Sequence, residues 1–413
     1  MITLFLIACI VSIIPCDSLY ATAEPTAQPA IQRNILAGHT DWIYSLAFSS
    51  DDSILATASN DQTIRLWNAQ TGDLLHTLTG HTNGILTVAF CPDSTTLAST
   101  SHDHTIRLWN AQTGDLLHTL TSHTDSVTSV VFCPDGTNLA SIANDQTTRI
   151  WNTCTGDLLH TLTGHTNFIY SCAYSHDGSI LATTSKDATT CLWDMRTGKL
   201  IRTLDSADWT NMVAFHPSNT TLATSSYDNI IRMWNAQTGD LIHTLTGHTE
   251  LIKFIAFNHS GSLLASASAD HTVRIWNAHT GDLLHTLTGH TDSVESIAYS
   301  PDGAILATAS WDNTTRLWST LTGDLLHTLT GHIQGANIVS FNHDGTRLAT
   351  NFSHNACIWS DTRIHPKTQA TALTLARALH DRLGNHSPMQ LIDSFTIHDI
   401  AALARPDSFS KIE

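Results

Sequence analysis

Eight tryptophans set the frame of this chain. Trp67, Trp109, Trp151, Trp193, Trp234, Trp276, Trp318 and Trp359 follow one another at steps of 42, 42, 42, 41, 42, 42 and 41 residues. Between them the phrase GDLLHTLTGHT, first at Gly72–Thr82, returns nearly letter for letter from Gly114, Gly156, Gly239, Gly281 and Gly323. Self-similarity at so fixed a period marks one repeated supersecondary unit whose stacked copies bury a shared core. It leaves little room for a mosaic of unrelated domains.

Each unit reads as four short strands. In the first, Trp42–Phe48 alternates and is rich in aromatic and branched residues, Ile54–Ser59 follows a short turn, and Thr63–Trp67 and Asp73–Leu78 complete the set. Such runs suit a pleated, half-buried surface. Pro-Asp-Gly at Pro134–Gly136 and Pro301–Gly303 separates strands, because Asp-Gly tolerates the backbone of a tight hairpin. Four antiparallel strands per repeat describe a propeller blade.

A Gly-His pair opens most units, and Trp-Asp or Trp-Asn closes them. Over repeats of this length the pattern resembles the WD-repeat β-propeller family. The resemblance covers about residues 32–360. It implies an all-β ring of eight four-stranded blades, with Gln32–Ala37 as the outer strand of the last. Seven blades plus a displaced unit is the alternative. Beyond residue 360 the pattern changes. Thr368–Leu383 carries Leu373, Ala376, Leu379 and Leu383 on one stripe before Gly384, and Ser387-Pro388-Met389-Gln390 reads as a helix start. A short helical extension is expected over 361–413.

Composition narrows the class. Hydrophobic residues make up 41% and charged residues 13%, the reverse of a disordered chain. With 19 basic against 36 acidic residues the net charge is −17. That repels nucleic acid, and no Lys/Arg cluster offsets it. The apolar run Ile2–Ile14 is short for a bilayer span. With Ala21-Thr22-Ala23 behind it, it fits a signal peptide over residues 1–23, followed by a linker over 24–31. Export to a periplasmic or extracellular space is expected. A cytoplasmic protein, or one lipid-anchored through Leu6-Ile7-Ala8-Cys9, is the alternative. Cys91, Cys133, Cys154, Cys172, Cys191 and Cys357 show no paired metal-ligand spacing. They are expected to be small buried thiols. No metal and no cofactor is expected.

Within the units a His, a Ser or Thr, an Asp and a Trp recur at fixed offsets. The sets are His39, Thr57, Asp61, Trp67; His81, Ser99, Asp103, Trp109; and His123, Ser141, Asp145, Trp151. They continue as His165, Thr183, Asp187, Trp193; His248, Ser266, Asp270, Trp276; and His290, Thr308, Asp312, Trp318. A catalytic triad needs one site with an oxyanion hole, not a set copied around a ring. The resemblance implies a structural hydrogen-bond network instead. Metal binding fails too, because histidines on successive blades do not converge. His76, His118, His160, His243, His285 and His327 fall on outer strands, as solvated edge residues. Two units break the rule. The fifth has Ala207 for the histidine, and the eighth has Ser353-His354 where the aspartate is expected. Both are expected to be locally weaker.

Function is expected where the copies differ. The resemblance implies that partners meet one face, at three offsets per blade. Those offsets collect Trp42, Tyr44 and Asn60; Leu86 and His102; Asn144; Phe168, Tyr170 and Lys186; Trp209, Asn211 and Tyr227; Leu251 and Lys253; and Glu295 and Trp311. Trp and Tyr are enriched in binding hot spots. A non-enzymatic, monomeric scaffold that binds a protein or peptide on this face is the reading. A glycan-binding propeller is the alternative, and an enzyme of the central funnel a further one.

Overall fold

The computed structural model describes residues 32–332 and 335–360. They form eight four-stranded antiparallel sheets, the blades of an eight-bladed β-propeller. Blade one runs Ile43–Phe48, Ile54–Ser59, Ile64–Asn68 and Leu74–Leu78, from the inner strand to the outer. Trp42 and Thr63 stand just outside the strands. The Trp42 carbonyl accepts the Asn60 N–H at 2.8 Å, which ties the turn between the second and third strands to the start of the inner one. The segments expected as a signal peptide, linker and C-terminal helices lie outside the described residues.

Burial explains the strand sequences. The second strand of each blade is sandwiched between neighbouring sheets, so it carries no polar-out alternation; all six residues of Ile54–Ser59 are buried. Small residues such as Ala56 and Ala58 let the sheets approach closely. The core forms between blades. Ile54, Ile64 and Leu66 of blade one share a cluster with Ile85, Val88, Leu97 and Trp109 of blade two. Each repeat therefore completes its apolar burial only against the next.

The ring closes with an N-terminal strand. Gln32–Leu36 pairs with Asn355–Ser360, completing the blade built from Val339–Phe341, Arg347–Phe352 and Asn355–Ser360. Apolar closure comes from Leu36, Ile43, Leu46 and Trp67 against Ala349, Ala356 and Ile358. Polar closure comes partly from the turn between the first two strands of blade one. There the Asp52 carboxylate accepts the His343 N–H at 2.7 Å and the Asp344 N–H at 2.9 Å. Asn351 also donates to the Ile43 carbonyl at 2.7 Å. These bonds join the first and last blades.

The turn after each framework aspartate places a residue in the left-handed region. Gln62, His104, Gln146, Ala188, Asn229, His271 and Asn313 have φ between 64° and 70°. The Cβ crowds the following carbonyl there, a cost that the polar side chain of Asn offsets by local hydrogen bonding and that alanine cannot offset. Ala188→Gly is therefore expected to stabilise the protein by about 1 kcal/mol, read as a raised midpoint in thermal unfolding. No gain, or a loss, would show that the turn carries no strain.

Candidate functional site

The repeated polar residues assemble into one sealed chain per blade. In blade two the Trp109 indole N–H donates to Ser99 Oγ at 2.9 Å. Ser99 Oγ meets His81 Nε2 at 2.8 Å, and His81 Nδ1 meets Asp103 at 2.8 Å. Asp103 also accepts the Thr82 N–H at 3.0 Å and the Thr105 hydroxyl at 2.7 Å. A neutral imidazole fits, with Nδ1–H donating to the carboxylate and Nε2 accepting from the hydroxyl. The same chain links His39, Thr57, Asp61 and Trp67; His123, Ser141, Asp145 and Trp151; and His165, Thr183, Asp187 and Trp193. It recurs in His248, Ser266, Asp270 and Trp276, and in His290, Thr308, Asp312 and Trp318. The hydroxyl residues are 0% exposed and engaged on both sides. No substrate reaches them, so the triad-like geometry is not a hydrolytic site.

Electrostatics agree with that assignment. Burial would raise the carboxyls of Asp103, Asp145, Asp270 and Asp312. Hydrogen bonds from the histidine, the threonine and the connector backbone hold all four below the usual range. Burial keeps His39 and His123 below their ordinary pKa despite the carboxylate beside them.

The two exceptional blades are repaired from elsewhere. In blade five Arg232 turns to Asp228 at 2.6 Å and to Ser226 Oγ at 2.8 Å, filling the place of the missing histidine. In blade eight His332 keeps Thr350 at 3.0 Å but turns Nδ1 to the Asn313 carbonyl at 3.3 Å. Burial, reinforced by the Arg33 charge, pushes its pKa down to about 4. Arg33 itself lies over Trp359 at 5.3 Å and donates to the Gly331 carbonyl at 2.8 Å.

Four of the six outer-strand histidines are not solvated edge residues but bond to the next blade. His76 donates Nε2–H to the Gln112 carbonyl of the next blade at 2.9 Å, and His118, His243 and His285 do the same to Cys154, His279 and Leu321. Arg202 reaches Gln237 in the same way, and Asn34 reaches Thr71. These are blade-to-blade latches. The fixed offset of 36 residues to the next unit's turn was the signal for them in the sequence. Cys154 departs from the buried-thiol expectation, because it lies exposed in that turn; Cys91, Cys133, Cys191 and Cys357 are buried and Cys172 half-buried. Among the described residues no three His, Cys, Asp or Glu side chains gather as a metal site.

The candidate face divides. Phe168, Tyr170, Lys186, Trp209 and Tyr227 converge across blades four and five. Trp209 meets Tyr227 edge-on at 5.1 Å between centroids, and Tyr227 stacks on Tyr170 at 6.2 Å. The Lys186 ammonium sits 4.1 Å from the Trp209 centroid and 6.0 Å from that of Phe168. Phe168, Trp209 and Tyr227 remain 40%, 39% and 36% exposed. Elsewhere the offsets hold the frame or stand apart. Asn60 donates to Asp41, Asn211 to the Ile252 carbonyl, and Lys253 pairs with Glu295. Trp42, Tyr44 and Trp311 belong to blades one and seven. At the other end of the inner strands a pocket of about 740 Å³ gathers His176, His259 and His343 with Phe257 and Tyr299.

Comparison with known proteins agrees with this architecture. The family described as "WD domain, G-beta repeat" matches residues 31–68, 72–110, 114–152, 156–194, 198–235, 239–277, 281–319 and 323–360. The chain belongs to the WD40-repeat β-propeller family. The probable E3 ubiquitin ligase complex SCF subunit sconB of Arthroderma otae is 40% identical over 43 residues, 10% of this chain and 6% of that protein. The crystal structure of the computationally designed Ika8 protein superposes with a TM-score of 0.71 at 27% identity, over 79% of this chain and 98% of that one. A protein-interaction scaffold is the general role this repeat supports.

Two outcomes follow. Arg232→Met strands the Asp228 carboxylate and is expected to cost roughly 1–3 kcal/mol in chemical denaturation; a neutral result would mean the repair carries no weight. His332 favours its neutral form when folded. Its contribution is complete above the unfolded pKa near 6.5 and is lost as the pH falls toward about 4. The loss is on the order of 3 kcal/mol. His332→Gln is expected to flatten stability over that window, and an unchanged pH profile would refute the role.

Proposed function

We propose that this chain is a non-enzymatic scaffold that binds a protein or peptide segment through the aromatic cluster of blades four and five. The observation that carries this reading is the contact set of Trp209, Tyr227, Tyr170, Phe168 and Lys186 at one end of two adjacent blades. Aromatic side chains that stay exposed while packed on one another offer large contact area at low entropy cost. Before the framework aspartate, blades four and five carry Lys186 and Tyr227 where blades one, two, three, six and seven carry Asn60, His102, Asn144, Ala269 and Trp311, so the site is particular to this pair of blades. Trp42, Tyr44 and Trp311 form outlying contacts of the same face. The ring acts as a monomer.

An enzyme of the central funnel would use the pocket at the opposite end, whose lining holds three imidazoles and no carboxylate. A glycan-binding role would use the same rings as stacking platforms. The chain works outside the cytoplasm after removal of residues 1–23, so the mature protein is expected to begin at Glu24 by mass spectrometry.

Affinity capture from native extract tests the binding reading. Trp209→Ala is expected to lose the captured partner while the unfolding midpoint stays near that of the parent. Replacement of Trp42, Phe168, Trp209 and Trp311 together, with every partner retained, would overturn it. A glycan array positive where protein capture is negative would favour the glycan reading.

A further inference from the structure

The chemistry of the aromatic cluster says what kind of side chain it takes. Lys186 lies across it, with its ammonium close to the face of Trp209 and within reach of Phe168. A ring face is negative and attracts a cation. Tyr227 packs edge-on against Trp209 and stacks on Tyr170, so the aromatic surface continues beyond Trp209. Trp209 and Phe168 flank the ammonium, the two tyrosines extend the aromatic wall, and the present occupant is the protein's own lysine.

The surrounding charge favours cations. In four blades an arginine on the third strand reaches back under the Gly-His connector, as Arg274 does to the Gly247 carbonyl at 2.9 Å. Blade four has Cys191 at that position, paired with Thr183. In blade five the equivalent Arg232 is drawn away to Asp228 at 2.6 Å. The carboxylates at this end of the two blades are Asp187, Asp205, Asp208 and Asp228, and Asp208 holds the Trp209 N–H at 2.7 Å. They outnumber Lys186 and Arg232, in a chain of net charge −17. A cation entering from solvent is attracted; an anion meets Lys186 alone against that background.

We infer that the Phe168–Tyr170–Trp209–Tyr227 cluster is a cation cage closed by Lys186, and that the partner enters as a basic peptide segment whose Lys or Arg side chain replaces Lys186 on Trp209. This inference rests on the binding reading above and adds the charge of the ligand. Lys186 has a flexible four-carbon stem. It can swing out when a second cation arrives, so it acts as an internal competitor.

The sign of one substitution separates the possibilities. The full chain is titrated with two synthetic peptides, otherwise uncharged and identical apart from a central Arg or Glu, and with tetramethylammonium. Binding is followed by calorimetry and tryptophan fluorescence. The Arg peptide is expected to bind and the Glu peptide not to. Lys186→Gln empties the cage and is expected to tighten the Arg peptide by roughly 2- to 30-fold, the range of a cation–π contact. Trp209→Ala is expected to lose the Arg peptide, while Trp209→Phe keeps a weaker response and controls for folding. Weaker Arg-peptide binding by Lys186→Gln, or tighter binding of the Glu peptide by the parent, would overturn the inference and assign the site to an anion. If no cationic probe binds while Trp209→Ala still loses the native partner, the face stands and the cation cage falls. If Trp209→Ala keeps the native partner, both fall.

Discussion

An indole N–H buried between two sheets must find an acceptor, and the ring is organised around meeting that demand. The tryptophan of each repeat packs into the core it shares with the neighbouring blade, as Trp109 does against Ile64 and Leu66. Its N–H is satisfied by a hydroxyl from the second strand, the hydroxyl by the imidazole, and the imidazole by the aspartate. The aspartate then gathers the backbone N–H of the connector. Each bond contributes about 1 kcal/mol net, and a broken one leaves a buried group unpaired at greater cost. The chain therefore sets where the connector enters, where the turn lies and how the two blades meet.

The irregular blades show that the demand is fixed while its solution is not. Blade five lacks the histidine and recruits Arg232 to the aspartate. Blade eight lacks the aspartate, and Asn313 of the preceding blade supplies an acceptor to His332. The closing strand brings Arg33 to the eighth tryptophan, where Cys357 stands in place of the usual arginine. Blade five shows one further departure, because its connector is one residue shorter than the others and leads into Trp209. Its repaired network and its exposed aromatic lie in the same few residues of the connector and turn.

Whatever repeats within one unit was legible in the sequence. The tryptophan spacing, four strands per step and the missing final outer strand together imply eight blades closed by Gln32–Ala37, and the described ring closes with Gln32–Leu36. Contacts between units were harder to read. His76 looked like an edge residue because its partner, Gln112, belongs to the next copy. Asp52 looked like one more turn residue, since its role depends on the ring bringing blade eight beside blade one. For the same reason the offsets picked out Tyr170, Trp209 and Tyr227 singly. Only the geometry of adjacent blades places Tyr227 against both of the others, while Asn60, Asn211 and Lys253 turn to neighbours of their own.

The chain has 11 tryptophans, and the structure divides them into two kinds. Eight donate their indole N–H to a buried hydroxyl at 2.8–3.0 Å. The other three, Trp42, Trp209 and Trp311, stand on the candidate face. Hydrogen exchange of the indole N–H resonances, followed by nuclear magnetic resonance on nitrogen-labelled protein, reads this division directly. If the repeats are framework and the departures are the site, eight resonances persist long after transfer to heavy water and three vanish at once. Repeat tryptophans that exchange as fast as Trp209 would contradict a sealed network and the division of labour built on it.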